Sequence, residues 1–181
     1  MEEKRRSGFT LIELLITVAL AALLAGLALP AMGRFVDAGR LRGAAELLVQ
    51  ELRQARNRAL TYQHTIYFSF AAGAQGTDWC YGWREQDRCN CRLTAAAPGA
   101  CVGAGAVAQS LQRRLAADFP GVTLRTPRAA GDYTLQFAPL RGTASGASFT
   151  LGNRAGQVRV ILSPLGRVRA CAVTGHVFSP C

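Results

Sequence analysis

Gly8-Phe9-Thr10-Leu11-Ile12-Glu13-Leu14-Leu15 (GFTLIELL) opens the stretch that decides how this chain is built. Behind it, from Leu14 to Met32, 19 consecutive residues carry no charge, and in front of it the head MEEKRR holds Lys4, Arg5 and Arg6. A run of that length can span a bilayer as a helix. Cations before the run and none within it place the N-terminus on the cytoplasmic side. A cleaved secretory signal would follow its apolar stretch with small residues of the A-x-A kind; here the stretch reads on into Gly33, Arg34 and a helical pattern, so the apolar helix is expected to be retained. Glu13 breaks the logic of FTLIELLITVALAALLAGLAL, because a carboxylate at membrane depth costs about 3 kcal/mol or more. Either it snorkels to the head-group level or it has a partner.

These residues resemble the processing site of type IV pilins and pseudopilins. The resemblance implies that a prepilin peptidase cuts after Gly8 on the cytoplasmic side and methylates the new N-terminus at Phe9, which leaves residues 1–8 as a leader peptide. It also implies a role for Glu13, neutralising the N-terminal amine of an adjacent subunit as helices pack in the filament core; a paired buried carboxylate is tolerable where a lone one is not. Pro30 falls where many pilins carry a helix-bending proline, and proline removes one backbone bond from a helix. Residues 9–32 are then a transmembrane and filament-core helix, and 33–181 a globular head. The implied address is the inner membrane, single-pass with the head periplasmic, and later the pilus or cell surface. The implied partners are the peptidase and other major and minor pilins.

Beyond Gly33 the apolar residues change pattern. Leu41, Ala45, Leu48, Leu52, Ala55, Ala59 and Tyr62 follow alternating steps of four and three, the stripe of an amphipathic helix. Three alanines make it a shallow seam suited to a sheet laid across it. A helix from about Thr10 to Tyr62 would be about 80 Å long at 1.5 Å per residue.

The remainder, 63–181, reads as strands and turns. His64–Phe70 is β-branched and aromatic, and Trp79–Trp83 can pair with it across the intervening turn. Residues 93–109 read as an irregular loop and Ser110–Phe119 as a short helix, capped by Ser110 and stopped by Pro120 and Gly121. Strands are expected at Val122–Thr126, Tyr133–Phe137, Ala147–Leu151, Gln157–Leu162 and Val168–Val173, with Gly, Pro, Asn and Asp between them. The fold class is α+β, a long N-terminal helix packed on a mostly antiparallel sheet in the pilin manner. The chain's 181 residues are 50% apolar and 18% charged, which excludes a disordered polyelectrolyte.

Cys80, Cys89, Cys91, Cys101, Cys171 and Cys181 all lie beyond the apolar run, so export makes disulfides the default. Cys171 with Cys181 would pin the C-terminal tail. The other four are expected to pair among themselves, Cys89 and Cys91 with different partners. A zinc site with His64 or His176 is the alternative, although the usual C-x-x-C spacing is missing.

Net charge is +10, and of the 21 cations only Lys4 is not arginine. Codon usage explains that total as well as an anionic partner does, so position matters more than number. From Phe119 to Cys181 seven arginines (125, 128, 141, 154, 159, 167 and 169) face one acid, Asp132. Within SPLGRVRAC, Arg167 and Arg169 flank Val168, and on a strand that spacing aims both guanidinium groups at one face. Gly166 permits a tight turn or a close approach of backbone to phosphate. With Arg159 from the preceding strand, the two forks could grip neighbouring phosphates of DNA; alternatively they form a solvated face that keeps the domain soluble or touches a neighbouring subunit.

The head with its late glycine-arginine motif is similar to the GspH/FimT-type minor pilins, most of all the FimT-like members, in which a C-terminal G-R-x-R motif is associated with DNA binding during natural transformation. Here that motif is Gly166, Arg167, Val168 and Arg169. The resemblance implies capture of extracellular double-stranded DNA through Gly166, Arg167 and Arg169, for uptake, with Arg159 joining them by its place on the preceding strand. Its alternative is a structural minor pilin or pseudopilin that primes assembly of a pilus or of a type II secretion pseudopilus and binds no DNA. No cofactor, metal or enzymatic activity is expected: His64 and His176 are isolated, and no nucleophile-base order or phosphate-cradling loop stands out.

Overall fold

Leu11–Tyr62 form a single 52-residue helix, α1, helical through Pro30. The computed structural model describes residues 10–94, 97–102, 113–128 and 131–181, without the side chains of 27–31. Gly8 and Phe9 therefore lie outside the described residues. The chain divides into two compact units, Met1–Val36 and Asp37–Cys181.

In the first unit the Thr10 hydroxyl accepts the Glu13 N–H at 3.3 Å, which caps the start of α1. Glu13 thus stands in the first turn, where a carboxylate also meets the positive end of the helix dipole. Leu11, Ile12, Leu14, Leu15, Ile16, Val18, Leu20, Leu23 and Leu24 are all exposed. An apolar helix with no covered side needs an apolar environment from outside the unit. Among the described residues no helix is long and apolar enough to cross a membrane; residues 27–31, part of the uncharged run, lie outside that statement.

In the second unit the four-three stripe becomes the floor of the core: Leu41, Ala45, Leu48, Leu52, Ala55 and Ala59 are fully buried, and Ala44 and Val49 widen it. Tyr62 departs from expectation and is exposed. It is the last residue of α1, beyond the strands that cover the rest of the stripe.

Among the described residues eight strands make two antiparallel four-stranded sheets rather than one. The first has the order β3 (Arg113–Leu115), β2 (Trp79–Glu85), β1 (Ile66–Ala72), β5 (Gly131–Phe137). The second has β4 (Thr123–Arg125), β6 (Ala147–Asn153), β7 (Gly156–Leu162), β8 (Val168–Thr174). Their inner faces meet over α1. Phe70 of β1 stacks on Phe149 of β6 with centroids 4.3 Å apart, and Tyr133 of β5 meets the same Phe149 edge-on at 5.9 Å.

The expected helix at Ser110–Phe119 is corrected. Residues 110–112 lie outside the described residues, 113–115 are strand β3 and only Ala116–Asp118 form a single 3-10 turn. Pairing decides this: β3 supplies hydrogen-bond partners to the edge of β2, with Tyr81 opposite Arg114, and Arg114 also reaches Glu51 of α1 at 2.8 Å. Tertiary contacts of that kind override a local helix signal.

All six cysteines are paired, as Cys80–Cys91, Cys89–Cys101 and Cys171–Cys181. The first two close a loop over the outer side of the first sheet. Ser69 and Ala71, which point outward from β1, are buried beneath it. The third ties the C-terminus to β8, whose Ala172 takes an N–H from Cys181 and gives one to Ser179.

Candidate nucleic-acid interface

β7 and β8 alternate cleanly. Val158, Val160 and Leu162 point into the core from β7, as do Val168 and Ala172 from β8, while Arg159 and Arg169 are exposed on the other side. The register places Arg159 opposite Cys171 and Arg169 opposite Ile161. Directly opposed residues share a face, so both guanidinium groups leave the sheet on its outer side, as diagonal neighbours about 7–8 Å apart at Cβ or closer. Arg167 is one step before β8. It is exposed, its carbonyl accepts the Ser163 N–H at 2.9 Å, and its own N–H goes to the Ser163 hydroxyl at 3.1 Å. This hairpin pairing continues the ladder and brings Arg167 to the same face as Arg169.

A fourth arginine joins them. Arg125 of β4 lies opposite Thr150 of β6, and Thr150 lies opposite Arg159 of β7. Arg125 is exposed, so one row across the sheet reads arginine, threonine, arginine, with the two arginines about 10 Å apart at about 4.8 Å per strand. Sequence reasoning missed Arg125 because nothing in TLRTPR reveals which strand it will pair with.

The charged side chains that the strands of this sheet present outward are all cationic. Apart from Asp132, on the first sheet, no acid occurs from Phe119 to the C-terminus. Among the described residues, the salt bridges are Arg42–Glu46, Arg58–Glu85, Arg92–Asp78 and Arg114–Glu51, and none involves Arg125, Arg159, Arg167 or Arg169. Guanidinium groups so placed keep their forked donors free for planar anions.

Gly166 takes the first of its two expected parts, the tight turn. It is buried, with φ +74°, and closes the turn after Pro164 and Leu165 by donating its N–H to Ser163 O at 2.9 Å. A Cβ there would stand 2.1 Å from the Gly142 carbonyl and 2.6 Å from Arg56 Nε. The close approach the structure shows is to the protein's own backbone, at the turn that leads into the arginine pair.

Trp79 and Trp83 are 1% exposed. Trp79 donates its indole N–H to Val122 O at 2.8 Å, and Trp83 lies under the Arg58 guanidinium at 4.9 Å. The zinc alternative also lapses, since every cysteine is in a disulfide and, among the described residues, no group of three or more His, Cys, Asp and Glu could hold a metal ion.

Two family profiles match the sequence. Residues 4–29 match the prokaryotic N-terminal methylation motif, and residues 44–166 match the type II transport protein GspH. The second match ends at Gly166, one residue before the arginine pair. No curated relative matches the sequence. Among solved structures, the type IV minor pilin FimU of Pseudomonas aeruginosa is 21% identical, covering 75% of this chain and 90% of its own with a TM-score of 0.46 in one crystal form. The minor pseudopilin EpsH from the type 2 secretion system of Vibrio cholerae is 13% identical, covering 71% and 94%, with a TM-score of 0.44.

Proposed function

The chain belongs to the GspH family, pilin-like proteins of the minor pilin and pseudopilin kind, and from that premise we propose that it is a minor type IV pilin whose head binds double-stranded DNA without sequence preference, for uptake in natural transformation. One observation carries the proposal: the outer face of the second sheet, where Arg125, Arg159, Arg167 and Arg169 stand exposed and, among the described residues, in no salt bridge. The face spans four strands, about 14 Å. That is comparable with the roughly 12 Å width of a B-DNA major groove, so its cations can meet phosphates of both strands. Nothing in the arrangement inserts a base-reading helix or ribbon, which is why the contacts are to backbone and carry no sequence information.

The N-terminal unit supplies the anchor. The peptidase cuts between Gly8 and Phe9, Phe9 is methylated, and the apolar helix holds the protein in the inner membrane until it enters a pilus. There Glu13 pairs with the N-terminal amine of a neighbouring subunit, and the exposed leucines of α1 are covered by lipid first and by other pilins afterwards.

The test is a DNA titration of the head, residues 37–181, over a range of salt. This unit contains the whole hydrophobic core and all three disulfides. Four phosphate contacts predict a slope of log affinity against log salt of about −3.6. Changing Arg167 and Arg169 to Gln should lower affinity at least about tenfold and reduce the slope by about 2. Absence of binding at low salt, or a double variant that binds like the parent, overturns the proposal.

A second reading is favoured by where the family match stops. Because it covers the later part of α1 and strands β1 to β7 but neither Arg167 nor β8 with Arg169, family membership speaks for a filament subunit in its own right, one that primes assembly of a pilus or pseudopilus. That reading predicts loss of filaments on deletion with no DNA affinity in the isolated head. The DNA reading predicts loss of transformation even where filaments persist.

A further inference from the structure

The head exposes two leucines almost completely, Leu140 at 78% and Leu165 at 73%. They belong to two turns of similar composition, Pro139-Leu140-Arg141 between β5 and β6 and Pro164-Leu165-Gly166-Arg167 between β7 and β8. The turns are locked together. Ala144 donates its N–H to Pro164 O at 3.0 Å, and Gly142 donates to Ala138 O at 3.0 Å. Gly142 and Gly166, both at positive φ, touch backbone to backbone. Arg56 of α1 donates Nε–H to Gly142 O at 3.2 Å and holds the pair against the last turns of the helix. Each leucine is thus exposed on a braced turn beside an exposed arginine, Arg141 or Arg167. From Ala138 to Arg169 the chain has no acid at all.

We infer that this two-pronged tip dips into an anionic lipid surface. The chemistry distinguishes lipid from protein. Two leucines offer far less than the roughly 800 Å² that each partner of a specific protein complex buries, and leucine is under-represented among residues that dominate such interfaces. The leucines stand exposed on two separate turns, so a protein partner would have to supply two matching pockets, whereas acyl chains fill around any apolar prong. Arginines beside the prongs reach lipid phosphates at the level of the head groups, the usual division of labour for an apolar tip and a cationic collar. This surface shares Arg167 with the DNA-binding face but not its leucines, so the two proposals separate experimentally.

The experiment is flotation of the head, residues 37–181, with phosphatidylcholine vesicles made with and without phosphatidylglycerol, in parallel with the DNA titration. The head is expected to float with the anionic vesicles and not with the neutral ones. Leu140→Ser with Leu165→Ser should cut vesicle binding at least about tenfold, while leaving the melting temperature and DNA affinity unchanged. Arg141→Gln should weaken vesicle binding severalfold and leave DNA binding intact. Flotation that is indifferent to both leucines overturns the proposal, as does no flotation with anionic vesicles. A leucine-dependent self-association or complex with another pilin head, without flotation, overturns it in favour of a protein contact. DNA binding lost with flotation retained would overturn the nucleic-acid reading alone.

Discussion

The two sheets of the head are built alike, each from three seven-residue strands and one edge strand of three, yet their outer faces have opposite fates. The first is roofed by a loop stapled through Cys80–Cys91 and Cys89–Cys101, so that even the outward Ser69 and Ala71 are buried. The second is left open, and its outward positions at Arg125, Arg159 and Arg169 are charged. Sealing one side frees the other. A sheet whose stability rests on covalent closure and a shared aromatic core can leave its twin to carry unpaired cations, which add nothing to the fold.

The shared core is the most direct place to break that division. Phe149 is fully buried and stacks on Phe70 across the two sheets, so Phe149→Ala should cost about 3–5 kcal/mol and lower the stability of both sheets together. Denaturant melts followed by amide exchange on β1 and on β7 would check it. Protection lost from one sheet only would mean that the sheets are separate folding units.

Next in size is the roof. Cys89→Ser with Cys101→Ser opens a link between residues 12 apart in sequence, and loops of that order are worth about 3 kcal/mol. The loss should fall on the first sheet and leave DNA affinity of the folded head unchanged. If DNA binding falls in step with stability, the roof belongs to the binding surface and the contrast between the faces is wrong.

How much of this was legible depends on the range of the interaction. The strands from Tyr133 to Val173 and the floor of α1 are visible in the sequence because alternation and the four-three stripe are local patterns. Arg159 and Arg169 are visible for the same reason, through the spacing of two on successive strands. Arg125 is not, since its membership of the arginine face follows from β4 pairing with β6, a choice that no residue of either strand announces. β3 was hidden behind a capped, proline-stopped segment whose helix signal lost to the open edge of β2. Gly166 was legible as a turn residue, but its backbone contact with Gly142, 24 positions away, was not. The burial of Trp79 and Trp83 likewise follows from packing against Val122 and Arg58.

A smaller effect sharpens the open side of the comparison. Arg125→Gln with Arg159→Gln should lower the salt slope of DNA binding by about 2 and shift the melting temperature hardly at all, because solvated arginines without partners contribute little to folding. A slope unchanged by this pair would confine the contacts to Arg167 and Arg169 and reduce the face to its edge.

The smallest effect concerns an acid buried beneath the closed sheet. Glu51 of α1 bonds Arg114 of β3 at 2.8 Å, and burial pushes its carboxyl pKa above the ordinary value despite the attraction of that arginine. A carboxyl whose folded pKa is raised binds its proton more tightly in the native state than in the unfolded chain. Its contribution to stability is therefore fully present below the unfolded pKa and is lost as pH rises through the folded one. At neutral pH the ionised Glu51 should then be a slight burden, and Glu51→Gln should raise stability slightly. That gain should shrink as pH falls into the acid range, where the parent's carboxyl is itself neutral. Thermal melts of the two proteins across that range decide the matter. If the variant is the less stable at neutral pH and the difference closes in acid, the bridge to Arg114 outweighs burial, and the edge of the closed sheet is held by charge as well as by sulfur.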